Sequence, residues 1–157
     1  MKLYILRHGA AEDLSPEGDS GRRLTPDGAA KVGKMASFLK GKISPGLILS
    51  SPLIRARQTA EIAAEKLAYP VKNIVEAECL LPNCNVDDTI QELGSKNIDR
   101  LLIVGHNPHL SDLTAALISD GQVNVQLKKV AVACIDFETG LRRGSGILQW
   151  LFTAELI

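Results

Sequence analysis

Leu47-Ile48-Leu49-Ser50-Ser51-Pro52-Leu53-Ile54-Arg55-Ala56 passes directly from an apolar run to a Ser-Pro step. The run from Leu47 to Ser50 has the length and composition of a strand buried on both faces. Ser51-Pro52 reads as a helix start, because serine caps and proline suits the first turn, where no amide hydrogen is needed. The helix is predicted to reach about Leu67. Ala56, Thr59, Ala60, Ala63 and Leu67 would then share one face, and the small residues would let it approach a sheet closely. The stretch is therefore one strand–helix unit with an arginine at the junction.

The same pattern recurs on both sides. Lys2 to Leu6 reads as a first strand, followed by a polar loop from Gly9 to about Leu24. Thr25-Pro26 then opens a helix whose apolar stripe is Val32, Met35, Ala36 and Leu39. Leu101 to Val104 is another strand, and Asn107-Pro108 starts its helix. Asn73 to Val75 is read as a short strand. Val86 to Leu93 reads as a helix that Gly94 is placed to end. Alternating strands and helices predict an α/β fold, three layers deep, with a largely parallel sheet. Val130 to Phe137 and Ile147 to Phe152 change this character. They predict an antiparallel C-terminal hairpin on the sheet edge, joined through Glu138-Thr139-Gly140 and the basic Arg142-Arg143-Gly144. Residues 1–157 are expected to form a single domain.

Composition narrows the function classes. Eighteen basic and eighteen acidic residues cancel, so bulk attraction to nucleic acid or to an anionic membrane is not expected. No apolar stretch approaches the ~18 residues of a membrane-spanning helix. The first residues read directly as a strand rather than as a signal peptide. Cys79, Cys84 and Cys134 form an odd set without metal spacing, which suggests reduced thiols and a cytoplasmic location.

Chemistry is concentrated where the strands end. Arg7-His8-Gly9 follows the first strand, Arg55 the second, and His106 follows Leu101-Leu102-Ile103-Val104-Gly105. Ligands of open α/β sheets bind outside the carboxyl ends of the strands, so Arg7, His8, Arg55 and His106 should converge on one cleft. Two arginines and two histidines suit a phosphoryl group. Planar guanidinium forks grip its oxygens, and neutral imidazole can attack phosphorus. Attack from one ring nitrogen requires the proton on the other, held by an acceptor such as a backbone carbonyl. Gly9 would let the chain turn tightly and crowd the phosphate. Other phosphatase chemistries lack their residues. Neither Cys79 nor Cys84 has an arginine six residues later, no Asp-x-Asp pair follows a strand, and no phosphate-cradling Gly-x-x-x-x-Gly-Lys loop occurs. No His, Cys and carboxylate cluster has metal spacing, so neither a metal nor another cofactor is expected.

Three motifs now stand in order: Arg7-His8-Gly9, Ser51-Pro52-Leu53-Ile54-Arg55-Ala56-Arg57-Gln58-Thr59-Ala60, and Gly105-His106-Asn107-Pro108. With them the whole chain resembles the histidine phosphatase superfamily, also called phosphoglycerate mutase-like. Its short length, Arg22-Arg23-Leu24-Thr25-Pro26-Asp27-Gly28 and the Leu80-Leu81-Pro82 turn are similar to the small phosphohistidine phosphatases of the SixA type. The resemblance implies that His8 is the phosphorylated nucleophile. Arg7, Arg55 and His106 would bind the phosphate, with His106 also stabilising the transition state. Arg57 falls at a variable motif position and would face away from the cleft. Arg22 and Arg23 are either solvated loop charges or added phosphate contacts.

Larger relatives use a carboxylic acid to protonate the leaving oxygen. Glu78 is the nearest match by position, with Glu12 and Asp13 as weaker candidates. An imidazole leaving group can depart with its own proton and does not need such an acid. Ala10-Ala11-Glu12 offers little to hold a phosphoglycerate carboxylate, which argues against a mutase. The leading expectation is a phosphatase whose partner is a phosphohistidine-bearing protein. A small phosphorylated molecule as substrate, and a phosphoprotein-binding module without turnover, are the alternatives.

Overall fold

Leu101 to Val104 are all buried, and their alternating directions explain why the run is apolar throughout. Leu101 and Ile103 enter one core with Leu3, Ile5 and Leu49, while Leu102 and Val104 enter another with Tyr4, Leu6 and Ile48. The sheet thus has a helical layer to cover on each side. The computed structural model describes residues 1–157. Its strands are β1 (Lys2–Arg7), β2 (Leu47–Ser50), β3 (Val75–Glu76), β4 (Arg100–Gly105), β5 (Val132–Asp136) and β6 (Ile147–Phe152). Its helices are α1 (Pro26–Leu39), α2 (Ile54–Lys66), α3 (Val86–Gly94) and α4 (His109–Ser119).

The six strands run in the order β3-β2-β4-β1-β5-β6. β3, β2, β4 and β1 are mutually parallel, and β5 pairs antiparallel with both β1 and β6. The expected α/β/α fold with a C-terminal antiparallel edge hairpin is what forms. Val32, Met35, Ala36 and Leu39 of α1 share a core with Ala56, Ala60, Ala63 and Ala64 of α2 on one face. Ile90 and Leu93 of α3 share the other with Leu110, Leu113 and Leu117 of α4. No helix is long and apolar enough to cross a membrane.

Two helix starts differ from the local reading. Thr25 does cap α1, accepting from Gly28 N at 3.0 Å. At α2, however, the cap position is Leu53, with no side-chain cap bond, and Ser51 lies outside it. Pro108 occupies the cap position of α4, while the Asn107 amide donates to the Leu127 carbonyl at 2.9 Å. Ser51 Oγ is shared between Leu53 N at 3.3 Å and His106 Nε2 at 2.8 Å, whereas Asn107 is held by its Nδ2 and its Oδ1, the atom a cap would use, finds no partner. Leu67 falls just beyond α2 and is only half-buried.

Candidate active site

Parallel register brings the two histidines together. Arg7 of β1 is paired with Gly105 of β4, so His8 and His106 leave adjacent strands at the same level. His8 N donates to Gly105 O at 3.1 Å, which carries the pairing one residue past β1. The two rings stand 4.9 Å apart, centroid to centroid, tilted by 54°. Beside them Ser51 N donates to Val104 O at 2.9 Å, fixing the end of β2 against β4. Arg55 projects from the first turn of α2 and is only 4% exposed.

His8 Nδ1 lies 2.6 Å from its neighbour's carbonyl, Gly9 O. A carbonyl only accepts, so Nδ1 carries the ring hydrogen and Nε2 keeps its lone pair. His106 is tied from the other nitrogen, with Nε2 2.8 Å from Ser51 Oγ. Burial lowers the His8 pKa to about 4, helped by the positive charges of Arg55, Arg7 and Lys129 and opposed by the Gly9 bond. Burial likewise lowers His106 to about 3, with His8 and Arg55 adding to the effect. Both rings are therefore neutral at neutral pH.

The arginines are pinned at one edge and unpartnered at another. Arg7 Nη1 donates to Leu127 O at 2.8 Å. Arg55 Nη1 donates to Asp19 O at 2.8 Å, and Arg55 Nη2 to Asp19 Oδ2 at 3.0 Å. Arg7 Nε, Arg55 Nε and His106 Nδ1 are buried and find no hydrogen-bond partner in the protein. Unpaired buried donors on charged groups are costly, and an oxyanion is the acceptor that suits them. Burial lowers the Arg7 pKa from its usual value, in line with the cost of leaving that charge unpaired.

The other sequence candidates lie apart. Glu78 sits in a single turn after β3, exposed, and its carboxylate shares no hydrogen bond or ion pair with the four residues above. Arg57 faces away, paired with Glu76 and Glu61 on the α2 surface. Arg22 is bound within its own loop, to Asp19 Oδ1 at 2.9 Å and to the Glu12 carbonyl, and Arg23 is exposed. Cys79, Cys84 and Cys134 are free thiols. Burial pushes Cys79 up to about 12, which keeps it protonated. Gly9 has a different use from crowding a phosphate. A side chain there would meet Val32 Cγ2 at 2.9 Å and Gly28 O at 3.0 Å, so the segment after His8 is seated against α1.

Sequence reasoning missed three contributors. Ser51 reads as a helix cap from its Ser-Pro context but holds His106. Asp19 was one polar residue among many in the first loop. The Leu127 carbonyl, which orients Arg7, is main chain and has no residue-type signal at all. For Ser51 the signal existed, since it directly follows the carboxyl end of a strand.

Residues 3–77 match the model of the histidine phosphatase superfamily, branch 1. An uncharacterized protein of Picosynechococcus sp. is 34% identical, over 95% of this chain and 89% of that protein. The solved structure of the protein histidine phosphatase SixA complexed with tungstate superposes with a TM-score of 0.86 at 28% identity, covering 99% of each chain. The α-ribazole phosphatase of Shigella flexneri shares the fold, with a TM-score of 0.75 at 20% identity over 98% of this chain and 97% of that one. The chain belongs to the histidine phosphatase superfamily.

Proposed function

We propose that this protein is a phosphatase that removes the phosphoryl group from protein-borne phosphohistidine through a covalent intermediate on His8. The observation that carries this reading is the 2.6 Å Nδ1···O contact to Gly9, which leaves His8 Nε2 as a free lone pair beside His106 and the two arginines. Nε2 attacks phosphorus, and the bond from phosphorus to the substrate's ring nitrogen breaks. That imidazole leaves neutral when its second nitrogen already carries a proton. Phospho-His8, with Nδ1–H still on Gly9 O, is then an imidazolium and a good leaving group. Water attacks it, inorganic phosphate departs, and His8 is neutral again. Arg7, Arg55 and His106 Nδ1 donate to the phosphoryl oxygens in each transfer.

Two features favour phosphohistidine over a phosphate ester. No carboxylic acid hydrogen-bonds to either histidine. Asp19 is a carboxylate that pairs with the cluster, through Arg55, and hydrogen bonds from Arg22 and then Arg55 hold its pKa below the usual range, so it is a poor proton donor. An alkoxide needs a supplied proton where imidazole does not. The likeness to the SixA structure, end to end, supports the same choice.

The test is phosphate release from a phosphohistidine-bearing carrier protein against a panel of sugar phosphates, with EDTA present. We expect a clear kcat/KM preference for the phosphoprotein, no turnover by His8→Ala, and acid-labile phosphate trapped on His8. Glu78→Gln should alter neither activity. Vigorous hydrolysis of one small ester with none of any phosphohistidine protein would establish the small-molecule phosphomonoesterase instead. Activity that EDTA abolishes and only a divalent ion restores would overturn the metal-free mechanism.

A further inference from the structure

The hydrogen-bond partners of Arg55 assign a role to Asp19. The only groups that accept from Arg55 are the Asp19 carbonyl, 2.8 Å from Nη1, and the Asp19 carboxylate, 3.0 Å from Nη2. Both Nη atoms are thus engaged by one residue, across the end of the guanidinium plane. The side of the same plane, formed by Nε and the second Nη2 hydrogen, is left over, and Nε has no partner. A guanidinium offers five donors in a fixed fork, so fixing one edge fixes the direction of the other. Asp19 is itself held. Its second oxygen accepts from Arg22 Nη1 at 2.9 Å, and Arg22 Nε donates to Glu12 O.

The first loop is shaped to make this delivery. Gly18, immediately before Asp19, has φ 75°, a left-handed conformation in which glycine is at little cost. Gly21 follows two residues later, where a side chain would meet Glu17 Cβ and Ser15 Oγ at 2.6 Å. Between them the chain forms one tight turn, Asp19–Gly21, which presents both the carbonyl and the carboxylate of Asp19 to Arg55. We propose that Asp19 is a positioning residue: it grips the end of the Arg55 guanidinium so that the side-on pair, Nε and Nη2, is aimed at the phosphoryl oxygens. This rests on the phosphatase reading above, and adds to it a residue outside the three motifs.

The opposite role is physically reasonable and gives the opposite sign. A carboxylate beside an anion site repels the anion, so Asp19 could instead be a competitor that phosphate must displace. Exposure decides between them. The Asp19 side chain is 60% exposed, so its repulsion is screened by water and salt, whereas that of Arg55 is 5% exposed and has no other anchor. Loss of orientation should outweigh loss of repulsion.

The experiment uses Asp19→Ala, Asp19→Asn, Arg55→Ala and the Asp19→Ala/Arg55→Ala double variant. Asp19 is exposed, so folding should persist, and thermal melting checks it. Binding of inorganic phosphate is measured by calorimetry, kcat and KM with the phosphohistidine protein, and Arg55 side-chain rotation by ¹⁵N NMR. Asp19→Ala is expected to weaken phosphate binding about tenfold and lower kcat, with Asp19→Asn intermediate because it keeps one acceptor. The Arg55 Nη signals should be distinct in the wild type and averaged in Asp19→Ala. In the Arg55→Ala background, removing Asp19 should change nothing further. Tighter phosphate binding by Asp19→Ala, unchanged binding, or an equal loss with and without Arg55 would each overturn the proposal. Wild-type protein that binds no phosphate would instead bring down the phosphatase reading, and the NMR arm would still report whether Asp19 orients Arg55.

Discussion

Two loops flank the cleft and hold its two arginines by different means. The loop between α4 and β5, residues 120–131, fixes Arg7 through a main-chain carbonyl, that of Leu127. Leu127 is fully buried, its amide donates to Ser111 Oγ at 3.2 Å, and its carbonyl also accepts from Asn107. Val130 closes the loop with φ 64°, rare for a β-branched residue, and its amide reaches the carbonyls of Arg7 and His8 at 3.2 and 3.4 Å. The first loop, residues 9–24, fixes Arg55 on a glycine-flanked turn through the Asp19 main-chain carbonyl and, in addition, through the exposed Asp19 carboxylate. A main-chain anchor cannot be deleted by changing a side chain, and burial shields it from salt. A carboxylate anchor can be changed in one step. In the phosphatase reading, the first loop is therefore where phosphate affinity could be tuned without touching the motif residues.

The largest expected effect tests whether the two arginines are equals. Arg7→Ala and Arg55→Ala should each lower kcat by ~10²-fold or more, as loss of a transition-state charge clamp does. Steady-state kinetics on the phosphohistidine protein checks this. A mild Arg7→Ala beside a severe Arg55→Ala would break the comparison, because the second loop would then hold a structural arginine.

The next test concerns the space between the loops. His8 and His106 are 6% and 1% exposed, and their pKa values fall to about 4 and about 3 in the folded protein, against 6.5 for the free side chain. The unfolded chain then binds more protons between these values, so folding stability is complete above about 6.5 and is lost as pH falls toward 4 and 3. The His8 shift alone corresponds to roughly 3 kcal/mol. Urea unfolding at pH 7 and pH 4.5 should show the loss, and His8→Asn should reduce it. A flat profile would mean that water enters between the loops.

How much of this was legible beforehand divides along the same line. Arg7, His8, Arg55 and His106 were found because each follows an apolar run, and the carboxyl ends of parallel strands must lie on one side of the sheet. The layers were legible because runs such as Leu101 to Val104 need cover on both faces. The anchors were not legible. Asp19 sits in a polar loop without periodicity, and the Leu127 carbonyl is invisible to any residue code. Ser-Pro and Asn-Pro read as local cap signals, but the cap positions fall later, at Leu53 and Pro108, while Ser51 turns to His106 and the Asn107 amide donates to the Leu127 carbonyl. Local chemistry predicts what a side chain can do, and tertiary neighbours decide which option it takes.

The smallest expected effect distinguishes the loops by the sign of their charge. Lys129 in the second loop contributes to lowering the His8 pKa, and Asp19 in the first contributes to raising that of His106. Neither is the leading cause, since burial is. Lys129 is exposed and, unlike Lys128, which binds Glu155 at 2.8 Å, has no carboxylate partner. Lys129→Ala should raise the His8 pKa, and Asp19→Asn should lower that of His106. Both shifts should shrink at high salt, because exposed charges act through screening solvent. NMR titration of the ring protons, over the pH range in which the fold persists, measures them. Shifts of the same sign would show that each substitution had changed burial rather than charge, and the loops would then be setting how dry the histidines are. Opposite signs that fade with salt would mean that the two loops bias the pair electrostatically, one ring each. Burial would still keep His8 neutral, with the second loop adding to that bias through Lys129 and the first loop adjusting His106 through the replaceable carboxylate of Asp19.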